Sequence, residues 1–180
     1  MTLNTKTVVN YDKNRQEAAR RLQRLPIGKV LREAFPGLEK WGWSTPWWDI
    51  RGSDLWVKLK DGRIIKVDLK LVSRDPFRKK IPSLALETWH DIRNGKPGWP
   101  FRKTSVTDKV LWICENSERW LLADFDQLRE FAYNKNRLIR SVSRRVRNAS
   151  KRGGRVTISE FVWVPVWLLR QHLEIDESAA

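Results

Sequence analysis

An α/β fold in one compact unit, spanning residues 1–180, is what this sequence predicts, and three observations carry the expectation. Apolar residues recur at helical spacing near the N-terminus, two strictly alternating runs follow around an Asp-Gly dipeptide, and further short apolar runs precede another helical pattern. The length also suits one domain, since domains most often run to about 100–150 residues and extend to about 250. No repeat or low-complexity linker divides the chain.

From Tyr11 onward, Ala18, Ala19, Leu22 and Leu25 fall on one helical face, with Asp12 as N-cap and Pro26 as stop. A shorter helix covers Ile27 to Phe35, ahead of Pro36-Gly37. The Trp-rich stretch that follows is expected to be extended and to lead into Asp49, Ile50 and Arg51. Leu55, Val57 and Leu59 alternate with Trp56, Lys58 and Lys60, and Arg63 to Leu71 alternates in turn. Asp61-Gly62 between the two runs is a strong hairpin signal. A basic loop covers 73–82, Ser83 to Trp89 reads as a strand, and 94–100 is a loop dense in Gly and Pro. Val110 to Cys114 and Trp120 to Ala123 form a second hairpin around Asn116-Ser117. Asp124 caps a helix through Leu128, Phe131 and Ala132, and the basic segment 124–155 is expected to be helical. Residues 156–175 close the chain as a strand and a short helix opened by Pro165.

Lys and Arg total 36 against 21 Asp and Glu, a formal charge of +15. That excess opposes compaction and is tolerated where a polyanion neutralises it, so nucleic acid is the expected partner. No stretch approaches the ~18 apolar residues of a membrane span, and no helical pattern pairs a basic face with a strong apolar one. The first residues lack the apolar core of a secretory signal. Cys114 is the only cysteine, which excludes an internal disulfide and a thiolate zinc cluster and fits a reducing, cytoplasmic setting. In its apolar run, Cys114 packs as a small hydrophobe. His90 and His172 lack each other's company at ligand spacing and read as ordinary surface or interface residues. Most of the eleven tryptophans are expected to pack, with one or two available to stack on bases.

The chemistry-bearing residues lie around the first hairpin. Side chains two apart on a strand share a face, so Asp68 and Lys70 project together, opposite Ile65, Val67, Leu69 and Leu71. Asp49, nineteen residues before Asp68, supplies a second carboxylate if its strand is a neighbour. Two carboxylates can hold a magnesium ion, which takes oxygen ligands and leaves the rest of its shell to water and phosphate. An ammonium beside them can orient water or offset charge at a phosphate. Asp54 is a rival for the first acid. Glu17 or Glu87 can complete the set, with Glu33 and Glu39 as further upstream acids.

An acidic residue at a hairpin's start, then Asp68-Leu69-Lys70 on the next strand, after a helix bearing Glu17, resembles the PD-(D/E)XK nuclease superfamily, in particular Holliday-junction-resolvase-like and homing-type phage endonucleases. The resemblance spans roughly residues 12–90, and Trp48 stands where the name-giving proline would precede Asp49. It implies a restriction-endonuclease-like fold, a central mixed sheet flanked by helices. It also implies magnesium-dependent DNA cleavage with manganese able to substitute, Asp49 and Asp68 as metal ligands, and Lys70 positioning the water. A homo-oligomer able to cut both strands is expected by the same analogy.

Two basic groups are expected to hold the DNA backbone. Arg74, Arg78, Lys79 and Lys80 directly follow the Asp-x-Lys strand. Arg140, Arg144, Arg145, Arg147, Lys151, Arg152 and Arg155 form a run of seven cations without an acid. The rival from another class is a non-catalytic nucleic-acid-binding protein, for which the Asp-Lys pair is decoration. An RNA-processing nuclease would share the metal site and differ in substrate.

Overall fold

Alternating burial along the strands builds a sheet that is apolar on both faces, and every other element is placed by what it covers. The computed structural model describes residues 9–10, 17, 20–73, 75–78, 82–142, 144–152 and 155–178. In chain order the elements are β1 (Val9–Asn10), α1 (Ile27–Ala34), β2 (Leu38–Trp43), α2 (Pro46–Ile50), β3 (Leu55–Leu59), β4 (Ile64–Val72), β5 (Ser83–Asp91), β6 (Lys96–Pro97), β7 (Lys109–Cys114), β8 (Trp120–Asp124), α3 (Phe125–Asn134), α4 (Asn136–Val142), β9 (Arg144–Arg152), β10 (Arg155–Pro165), α5 (Val166–His172) and β11 (Ile175–Glu177). Short 3-10 turns occupy Pro76–Arg78 and Trp99–Phe101.

Six strands form a mixed sheet in the order β11-β8-β7-β4-β3-β2, and five form a second sheet in the order β1-β9-β10-β5-β6. In the larger sheet β4 and β7 run parallel and the other neighbours are antiparallel. Leu111 and Ile113 of β7 join Val67 and Leu69 of β4 in a core closed by Ile27, Val30, Leu31 and Ala34 of α1. Val110 and Trp112, on the opposite face of β7, pack with Leu84 and Leu86 of β5, Val162 and Val164 of β10, and α3 and α5. The larger sheet is thus sandwiched between α1 on one face and the second sheet with α3 and α5 on the other.

The β3–β4 hairpin forms where Asp61-Gly62 marks it, and Gly62 takes the left-handed φ of +88° that a side chain would strain. The β7–β8 hairpin also forms, and Asp124 caps α3 by accepting from the Asp126 and Gln127 amides at 3.0 Å. Cys114 is fully buried, and burial pushes its thiol up to about 12, so it is an inert packing residue. Among the described residues no helix is long and apolar enough to cross a membrane.

Three expectations change. Residues 20–24 are helical, as is Glu17, but Asp12, Ala18 and Ala19 lie outside the described residues; Val9 and Asn10 form a strand that the periodicity did not show, parallel to β9. The stretch before Asp49 is not wholly extended: Pro46 at the first helical turn, after an extended Thr45, starts α2, and Asp49 sits on it. The basic segment 124–155 is helical only through Val142. It then turns into β9, which pairs with β10 from Arg152↔Arg155 to Arg144↔Trp163. The intervening dipeptide Gly153-Gly154 is a hairpin-favouring pair, and a run of cations without apolar residues at helical spacing gives a helix no face to bury.

Candidate active site

The register of the β3–β4 hairpin decides which acid meets Asp68. The ladder pairs Lys58 with Ile64 and Leu55 with Val67. One step further along the same register sets Asp54 opposite Asp68. Here the two arms part: β4 continues to Val72 against β7, while the pairing with β3 ends at Leu55. The Asp54 amide donates to the Val67 carbonyl at 2.9 Å, and Asp54 Oδ2 accepts from the Leu69 amide at 2.7 Å. A carboxylate therefore caps the β4 edge just where its strand partner leaves.

Asp68 and Lys70 share the face of β4 that looks toward the second sheet, as their spacing requires. Lys70 Nζ donates to Asp68 Oδ1 at 2.6 Å. Asp68 is only 4% exposed, whereas Lys70 keeps 30% of its side chain accessible. The Lys70 ammonium also sits 4.8 Å from the Trp99 ring centroid, a cation–π contact that restrains the amine. Trp99 reaches it because Gly98 abuts β5, where a Cβ would fall 1.7 Å from the Glu87 carbonyl oxygen.

Burial first, and then the neighbouring Asp68 charge, push the Asp54 carboxyl up to about 7; Lys70 and the Leu69 amide oppose the shift without cancelling it. A hydrogen bond between the two carboxyl groups adds to the rise. Two acids held this close favour a proton or a cation between them.

Two cavities flank this edge of β4. One, of about 480 Å³, is bordered by Asp54, Asp49, Arg21, Leu22 and Trp43. The other, of about 430 Å³, holds Lys70, Glu87, Trp99, Trp112, Phe161 and Trp163. Leu69 and Leu71 border both.

The structure thus brings Asp54, not Asp49, against Asp68. Asp49 is exposed at the rim of the Asp54 cavity, because α2 turns the chain before β3 begins. The sequence carried part of the signal: a two-residue turn at Asp61-Gly62 would set Asp54 opposite Leu69, and closure of the loop by Leu59 and Arg63 shifts the register by one, to Asp68. Glu17 is exposed and borders neither cavity; its charge acts on Arg21, whose Nε donates to Glu115 at 2.6 Å. Glu33 accepts from the Trp120 indole and Glu39 pairs with Lys58, both away from the cleft. Glu87, by contrast, is buried in the Lys70 cavity, 3.3 Å from His90 Nδ1. His172 packs its ring on Phe131.

Of the basic residues, Arg74, Lys79 and Lys80 lie outside the described residues, and Arg78 is exposed at the end of a 3-10 turn. Arg140 is on α4, Arg144, Arg145, Arg147, Lys151 and Arg152 are on β9, and Arg155 opens β10. Arg147 donates from Nε to the buried Glu160 at 3.0 Å, so one expected DNA contact also neutralises an interior acid. Among the described residues no group of three or more His, Cys, Asp or Glu converges on a point. The acidic centre is a carboxylate pair with an amine. No family model, curated protein sequence or solved structure matches the chain.

Proposed function

We propose that this chain is a divalent-metal-dependent nuclease that hydrolyses DNA phosphodiester bonds, on a sheet arranged as in restriction-endonuclease-like folds. The observation that carries the reading is the Asp54–Asp68 pair: two carboxylates set opposite each other on the arms of one hairpin, Asp68 buried and Asp54 half-buried, with Lys70 on Asp68. Their donors are carboxylate oxygens, the class that magnesium and manganese take, and magnesium asks for only one or two of them. The rise of the Asp54 carboxyl to about 7 measures how poorly the pair tolerates its own charge, which a bound cation would relieve.

Asp54 and Asp68 would hold the metal. When bound, such an ion activates water and neutralises charge developing on phosphate. The Lys70 amine, held between Asp68 and the Trp99 ring, would offer a positive charge to a phosphate oxygen from the exposed part of its side chain. Glu87 places a further carboxylate beside Lys70, in the cavity next to the pair. The net charge of +15, with Arg78 and the β9–β10 hairpin, would bind the phosphate backbone without reading sequence.

That same charge favours one other reading, a basic nucleic-acid binder without activity. Plasmid nicking separates them. The nuclease reading expects nicking in magnesium or manganese, none in EDTA, and none from Asp68→Ala, which still binds DNA. Tight binding by the wild type without nicking in either metal, or equal nicking by Asp68→Ala, leaves only the binder.

A further inference from the structure

The carboxylate cleft leaves an aromatic surface beside it unexplained. Trp43 and Trp47 are 52% and 57% exposed, and Ile50 is 77% exposed. Trp47 and Ile50 lie three apart on α2, hence on one side of that short helix. Trp43 borders the Asp54 cavity and is braced edge-on by Trp41, their ring centroids 5.8 Å apart. Arg51 lays its guanidinium over the Trp47 ring at 4.3 Å, and Lys66 lies 5.7 Å from the Trp48 ring centroid. Large apolar side chains left in water on successive elements of the chain mark a contact surface rather than a core.

Charge selects the occupant. The protein carries +15, and the rings are interleaved with cations, so the partner is a polyanion that also presents flat apolar faces. Nucleic acid has both. In a duplex the base faces are hidden in the stack, whereas an unpaired strand exposes them to aromatic side chains. We propose that Trp43, Trp47 and Ile50 form a stacking platform for unpaired bases, with Arg51 and Lys66 on the adjoining phosphates, so that single-stranded or locally unpaired DNA is the preferred ligand. The proposal rests on the nuclease reading only for what happens to the strand beyond Trp43, at Asp54; the platform itself acts by binding.

The test uses the full chain in EDTA, so that cleavage plays no part. Fluorescence anisotropy compares a labelled oligothymidine of about 20 nucleotides with a duplex of equal length at fixed salt. Trp47→Ala should weaken single-strand binding by roughly tenfold or more and leave duplex binding within about twofold, while Trp47→Phe retains most of the affinity. Equal losses on both ligands, or none on either, overturn the platform. Far-ultraviolet circular dichroism checks that each variant folds, and Ile50→Ser provides a second probe of the same surface. Two further arms address other occupants: sedimentation with phosphatidylserine vesicles, and sedimentation velocity for self-association. Loss of either in Trp47→Ala with single-strand binding intact assigns the surface elsewhere and overturns the proposal. Single-strand preference without nicking in any metal would leave the platform standing and remove the nuclease.

Discussion

The cleft beside β4 and the β9–β10 hairpin use charge in opposite ways. In the cleft, Asp54 and Lys70 crowd the buried Asp68, and the Asp54 carboxyl responds with a large rise to about 7. Along β9, five cations from Arg144 to Arg152 follow one strand, and Arg147 keeps 39% of its side chain accessible. A buried pair concentrates free energy in one proton or one ion, whereas a partly solvated cation such as Arg147 contributes little and is screened by salt. On the proposed reading, chemistry belongs to the first arrangement and grip to the second. Arg147 bridges them, since it faces water yet neutralises the buried Glu160.

Substitution at Asp54 should have the largest effect. Asp54→Asn is expected to lower nicking by about 10²-fold or more by removing a carboxylate from the pair. The same change should stabilise the metal-free protein. The folded-state carboxyl titrates at about 7 against 3.8 for the unreacted group. Its contribution to wild-type stability is complete below about pH 4 and is lost as pH rises through about 7. In EDTA, urea melts should therefore show the variant gaining on the wild type by as much as about 4 kcal/mol near pH 8, with the gap closing near pH 4. A variant less stable at every pH would break the account of the cleft.

Arg147→Ala comes next. It leaves Glu160 buried with Thr88 Oγ1 at 3.1 Å among its remaining partners. Breaking a fully buried pair costs about 3–5 kcal/mol; with the arginine partly in water, about 1–2 kcal/mol is expected, read from urea midpoints. Arg78→Ala should leave stability untouched, reduce DNA affinity a few-fold and lower the slope of log affinity against log salt by about one. An unchanged slope would remove Arg78 from the DNA surface. Asp49→Ala should do least, with nicking within about twofold of wild type. Were Asp49→Ala inactive and Asp54→Asn active, the assignment of the two acids would be reversed.

Much of this arrangement was legible before any coordinates. The alternation of Arg63 to Leu71 placed Asp68 and Lys70 on one face, and Asp61-Gly62 marked the turn, because both are local properties of backbone geometry. The choice between Asp49 and Asp54 needed the ladder to be followed residue by residue, and the sequence resemblance favoured an acid near Trp48 instead. Pro46 then removes Asp49 from the strand by starting α2. The fate of 144–152 was hidden for a different reason. Helical spacing and strand alternation look alike in a run of Arg and Ser, and the strand is decided by β10, a partner later in the chain. Glu87 was visible as a strand residue, but its place in the Lys70 cavity depends on the packing of two sheets.

Asp54 and Asp68 sit on the two arms of a single tight hairpin, whereas the walls around them depend on distant segments; Thr88 and Glu160, which join β5 to β10, are 72 residues apart. Hairpins close in about 1–10 μs, and pairings between distant segments form later. During folding the acids should therefore meet while solvent still surrounds them, and the second sheet arrives afterwards to dry them. On the proposed reading, this order of assembly would make reactivity a late property of the chain, acquired when the last wall docks.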